Sequence, residues 1–147
     1  MIIKNILIVK SMYYADISNE LYKNALEIIG DPVDSKANFS KNRFVVNTYS
    51  VPGVFEIPAV ISKNIKTYYG VVALGCVIKG KTPHFDFISK ATTDSIMKLS
   101  IEHQKPIGNG IITCLNKEQA LVRSKTKGQE AAKAVLSVLK SFDNPPE

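Results

Sequence analysis

The densest run of chemically useful side chains in this 147-residue sequence lies between Gly75 and Asp86, where Lys79, Gly80, Lys81, Thr82, Pro83 and His84 follow an apolar stretch. Thr82 suits a helix N-cap, and Pro83 then falls at the first helical position, where its missing N–H costs nothing. A helix start, a flexible glycine and Lys81 together make a plausible phosphate site. His84 lies one residue into that helix, and a histidine beside an anion site is a candidate proton shuttle. A histidine held by a nearby carboxylate is the plainer reading.

Three other segments carry chemistry. Tyr13 and Tyr14 are adjacent aromatics after an apolar run; they can stack on a flat ring, or one can simply pack under the loop. In Val51-Pro52-Gly53-Val54-Phe55-Glu56-Ile57-Pro58 the glycine permits a sharp turn, and the helix start offers free N–H groups. Glu56 can accept hydrogen bonds from hydroxyls, although acids also favour helix starts on dipole grounds. Arg123 follows Asn116 to Gln119, a capping signature. It can clamp a phosphate through two nitrogens, or form an ordinary surface ion pair. His103 reads as a helix-end residue. No Walker loop, GxGxxG, Ser-His-Asp set or metal-ligand cluster appears, and Cys76 and Cys114 have no framework spacing.

The elements that position these segments alternate. Apolar runs at residues 6–9, 43–49, 70–78 and 106–113 predict four strands, the third buried on both faces. Asp16 is the expected N-cap of a helix with Ile17, Leu21, Ala25 and Ile28 on one face, closed by Gly30. Residues 31–42 read as a loop. Ile57, Val60, Ile61 and Ile65 give a second helix, with Pro58 in its first turn. Ile88, Ala91, Ile96 and Leu99 point a long helix inward, and Ala132, Val135, Leu136 and Leu139 stripe the last. Residues 143–147 are expected to fray. Strands separated by helices imply a parallel sheet covered on both faces, with ligands at the carboxyl ends of the strands. The length fits one domain, residues 1–147.

Composition sets the class. Hydrophobic residues make up 45% and charged residues 22%, an ordinary globular balance. The net charge of +6 is spread along the chain with no aromatic-basic cluster, so an anionic small molecule is expected and nucleic acid is not. No run approaches the ~20 apolar residues of a membrane span. The start reads as a first strand rather than a leader, and a cytoplasmic location is expected.

Three segments together resemble the lumazine synthase family of riboflavin biosynthesis. The family pattern V-P-G-[AS]-F-E-[IL]-P is similar to Val51–Pro58. G-x-V-I-[RK]-G-x-T-x-H-[FY]-[DE] is similar to Gly75–Asp86, and G-[IV]-[IL]-T with a later E-Q-A and arginine to Gly110–Arg123. Order and spacing match over roughly residues 5–140. The resemblance implies a flavodoxin-like, three-layer αβα sandwich with a four-stranded parallel sheet. It implies condensation of 5-amino-6-(D-ribitylamino)uracil with 3,4-dihydroxy-2-butanone 4-phosphate to 6,7-dimethyl-8-ribityllumazine, phosphate and water, without metal or cofactor.

Residue by residue, the resemblance puts Tyr13, Val54, Phe55, Glu56, Cys76, Val77, Ile78 and Asn109 around the pyrimidine and its ribityl chain. Lys81, Thr82 and Arg123 fall at the phosphate, and His84 at proton transfer. It further implies a homo-oligomer, a pentamer foremost, with Asn109 and Arg123 reaching a neighbour's site, and riboflavin synthase as a candidate partner. Three features depart from the pattern. Asn109 stands where many members have phenylalanine, offering a polar contact in place of a stacked ring. The N-terminus is short. The Arg123–Gly128 link is shorter than in capsid-forming relatives, which favours an isolated ring over a shell. Two rivals share the fold: an archaeal-type riboflavin synthase, which has no phosphate to bind, and a non-catalytic lumazine or flavin carrier, which needs no phosphate clamp.

Overall fold

The computed structural model describes residues 2–30 and 42–144. Four strands, β1 (Ile2–Ser11), β2 (Asn42–Val51), β3 (Gly70–Ile78) and β4 (Ile107–Cys114), form one sheet in the order β2-β1-β3-β4. All three pairings are parallel. Among the described residues five α-helices connect and cover them: α1 (Ala15–Ile29), α2 (Ile57–Asn64), α3 (His84–His103), α4 (Lys117–Arg123) and α5 (Lys127–Asp143). The expected three-layer, flavodoxin-like α/β sandwich is the fold found.

Alternation along β1 divides the core. Ile6 and Ile8 face α1, α4 and α5, joining Ile17, Leu21, Ala120, Ala132 and Val135. Leu7 and Val9 face α2 and α3, joining Ile57, Ile61, Ile65 and Ile96. Strand β3 is buried from Gly70 to Cys76, as its continuous apolar run requires when both faces are covered.

Several boundaries differ from expectation. Strand β1 is longer than residues 6–9 because Lys4 continues the inward alternation. Its ammonium is buried, lies 2.5 Å from Asp143 Oδ2 at the end of α5, and sits 5.5 Å from the centre of the Tyr69 ring. Asp16 is not the N-cap of α1. The cap is Tyr14, and Asp16 falls in the first turn, where its charge still suits the helix dipole. Gly30 closes α1 with φ 96°, a left-handed conformation that costs glycine little. In α3 the inward stripe is Ile88, Thr92, Ile96 and Leu99; Ala91 is exposed, because Thr92 takes the inward place four residues after Ile88. The far side of α3 leaves Phe87, Met97 and Ile101 in solvent. The expected loop lies outside the described residues for 31–41, and Asn42 already opens β2. Of the expected frayed tail, 145–147 lie outside them too.

Helices α1 and α5 cross closely at Gly128. A Cβ added there would stand 2.1 Å from the Leu21 carbonyl oxygen, so only glycine fits.

Candidate active site

The carboxyl ends of β1, β2 and β3 and the start of α3 surround an open cavity of about 480 Å³. Eight of the twelve residues singled out in the sequence line it: Tyr13, Val54, Phe55, Glu56, Cys76, Val77, Ile78 and His84. Tyr14, Gly53 and Ile88 complete the lining. The signals for these three were present but indirect. Tyr14 follows Tyr13, Gly53 opens the turn before Val54, and Ile88 lies one helical turn beyond His84.

Local physics builds each wall. The Met12 N–H donates to the Val51 carbonyl at 2.8 Å, tying the end of β1 to that of β2. After Gly53 the chain turns through a single 3₁₀ turn, Val54–Glu56, into α2, with the Glu56 N–H donating to the Gly53 carbonyl at 3.2 Å. Val54 is buried beneath, while Phe55 stands 63% exposed at the rim. Helix α3 begins at His84, one residue later than expected, with Pro83 at its cap. The Thr82 hydroxyl accepts from the His84 N–H at 3.4 Å, so Thr82 still serves the first turn. Lys81, Thr82 and His84 are exposed there, at the positive end of a 20-residue helix.

Electrostatics separates the groups. Burial pushes the Cys76 thiol up to about 12, with Cys114 and Asp16 adding to the rise and Arg123 opposing it. Cys76 is therefore a neutral apolar wall and not a nucleophile. Burial also raises the Tyr14 phenol, so its hydroxyl stays protonated. Desolvation alone would raise the Asp16 carboxyl, but Lys117, 3.3 Å away, and the Ile17 N–H hold it below the usual range. That ion pair joins the first turn of α1 to α4.

Asn109 and Arg123 are not among the cavity's lining residues. The Pro106 and Cys114 carbonyls accept from the N–H groups of Val71 and Lys79, so even-numbered residues of β4 bond toward β3. The odd-numbered residues turn their backbone groups to the open edge. There Asn109 Oδ1 accepts from the Ile111 N–H at 3.1 Å. Arg123 Nη1 donates to the Thr113 carbonyl at 3.1 Å and approaches Cys114 Sγ at 3.9 Å. Helix α4 is held for this by the Asn116 side chain, which accepts from the Gln119 N–H, while Gln119 accepts in turn from the Leu115 N–H, each at 2.9 Å. Lys81 and Thr82 likewise lie outside the lining. Among the described residues no group of three or more His, Cys, Asp or Glu could hold a metal ion, and no helix is long and apolar enough to cross a membrane.

The family model for 6,7-dimethyl-8-ribityllumazine synthase matches residues 4–143. The chain belongs to that family. A curated relative of that name from Methylobacterium radiotolerans is 39% identical over 140 residues, covering 91% of this chain and 79% of the relative. One from Bartonella tribocorum is 39% identical over 142 residues, covering 92% and 87%. One from Corynebacterium kroppenstedtii is 38% identical over 135 residues, covering 88% and 79%. The stretch matched by the family spans the whole cavity, the edge of β4 and the Lys4–Asp143 pair.

Proposed function

We propose that this chain condenses 5-amino-6-(D-ribitylamino)uracil with 3,4-dihydroxy-2-butanone 4-phosphate, giving 6,7-dimethyl-8-ribityllumazine, phosphate and water in riboflavin biosynthesis. The observation that carries the reading is the convergence of His84, Glu56 and an aromatic-apolar wall on one cavity, in a chain of this family.

The reaction forms an imine, eliminates phosphate, tautomerises an enol and closes a ring. Each step moves protons, and none needs a protein nucleophile, which agrees with a neutral Cys76. His84 moves the proton at the substrate carbons, at the mouth of the cavity. Tyr13 stacks on the pyrimidine, and Phe55, Glu56, Val54, Cys76, Val77 and Ile78 hold the ring and ribityl chain. The exposed start of α3, with Lys81 and Thr82, receives the phosphate beside an arginine. Holding two substrates together supplies much of the remaining acceleration.

The enzyme acts as a cytoplasmic homopentamer, each chain one domain, with riboflavin synthase taking the product. The support for a shared site is the separation of Asn109 and Arg123 from the cavity of their own chain. On the open edge of β4 they face outward, available to a neighbour whose cavity lacks that wall. Head-to-tail contacts of this kind close into rings.

Incubating the purified protein with both substrates and following lumazine absorbance tests the reaction. Binding of the product with no turnover would favour a carrier and overturn the reading. Sedimentation tests the ring: five times the 16.2 kDa chain mass is expected. A fully active monomer would refute the shared site.

A further inference from the structure

Tyr13 carries the stacking wall of the cavity, yet it is 74% exposed. A side chain that free has no fixed ring plane unless something braces it. The one aromatic contact between described residues is with Tyr14: the two ring centres are 4.9 Å apart and the planes meet at 76°. This T-shaped geometry is the one that ring quadrupoles favour. Tyr14 is itself anchored. It is half-buried, packs against the core on the α1 and α5 side, and its carbonyl accepts from the Ser18 N–H at 3.0 Å as α1 begins. Its hydroxyl makes no hydrogen bond with any other described residue, so what ties it down is the packing of its ring.

We propose that Tyr14 is a positioning residue for the pyrimidine, acting through Tyr13: it fixes the tilt of the Tyr13 ring so that a flat substrate meets a ready-made stacking surface. This rests on the proposed function. The hydroxyl is dispensable and the ring is not. Without the brace, Tyr13 samples several tilts, and each pyrimidine that binds must first order it.

Steady-state kinetics of Y14F, Y14L, Y13A and the Y13A/Y14L double variant test this. In Y14L the apparent KM for the pyrimidine should rise roughly two- to tenfold, the range an aromatic pair supplies. The KM for the butanone phosphate and kcat should stay within about twofold, and Y14F should match wild type. In the Y13A background Y14L should have no further effect on the pyrimidine KM. Tyr14→Met, near in volume and without a ring, carries the same expectation if Y14L does not fold. An equal rise in both KM values, an undiminished effect in Y13A, or Y14F as impaired as Y14L would overturn the brace. A wild-type chain with no turnover would instead overturn the proposed function. Lumazine affinity, read by quenching of tyrosine fluorescence in this tryptophan-free chain, would then test the brace on the same four variants.

Discussion

Gly128 in α5 sits against the carbonyl of Leu21 in α1, so close that a methyl group would stand 2.1 Å from the oxygen. In most helices a glycine-to-alanine change is stabilising by up to about 1 kcal/mol. Here the sign reverses. Gly128→Ala is expected to lose about 1–3 kcal/mol or more, the cost of forcing packed elements apart. Urea denaturation measures it, and an unchanged or raised midpoint would mean that α1 and α5 do not meet there.

Lys4 and Asp143 should respond unequally to substitution. The Lys4 side chain is 5% exposed and that of Asp143 46%. Asp143→Asn keeps an amide oxygen near the buried ammonium but removes its counter-charge, which should cost about 1–3 kcal/mol. Lys4→Met removes the buried charge and keeps the packed stem, so it should cost less. Equal losses, or the reverse order, on denaturation would count against a buried-charge origin.

His84→Ala should lower kcat roughly 10²–10⁴-fold, the usual share of a general acid–base group, with little change in either substrate's affinity. Single-turnover rates at saturating substrates check it. A kcat within about twofold of wild type would remove His84 from proton transfer.

Arg123→Ala should raise the apparent KM for the butanone phosphate about ten- to a hundredfold, since charge-assisted bonds contribute about 1.5–3 kcal/mol. The pyrimidine KM should hardly move. The change also strips the Thr113 carbonyl of its donor, so sedimentation of the variant separates a binding loss from a loss of assembly.

Cys76 gives a pH signature. Its folded value of about 12 lies above the unfolded reference of 9.0. The unfolded chain therefore sheds this proton first as pH rises, and the contribution of Cys76 to stability, full below pH 9, is lost between about 9 and 12. In a Cys114→Ser background, iodoacetamide at pH 9 should label native Cys76 at least roughly a hundredfold more slowly than the denatured chain. Similar native and denatured rates would show that the thiol is not desolvated.

Much of this was legible in the sequence for a local reason. The cavity is built from short stretches that each follow a strand, and parallel sheets bring such stretches to one end. Val54, Phe55, Glu56, Cys76, Val77, Ile78 and His84 therefore converge as their order implies. The extra length of β1 was hidden because Lys4, a charged residue, occupies an inward position that only the distant Asp143 makes tolerable. Ala91 was misplaced because an apolar residue is not always the one its helix turns inward, and Thr92 took that side. Which residues lie outside the cavity depends on strand order. Only with β4 at the edge do Asn109 and Arg123 face away from their own chain's pocket. The brace on Tyr13 depends on an angle between rings, which no spacing encodes.

Among the described residues β4 is an unpaired border of the sheet, and unpaired borders recruit other extended chains into fibrous stacks. The Asn109 amide and the Arg123 guanidinium already occupy the Ile111 N–H and the Thr113 carbonyl. A stray strand therefore finds two of the bonds it would need already in use, which blunts this stretch of the edge. The same two side chains make this border less hospitable to arbitrary backbone and mark it with an amide and a positive charge.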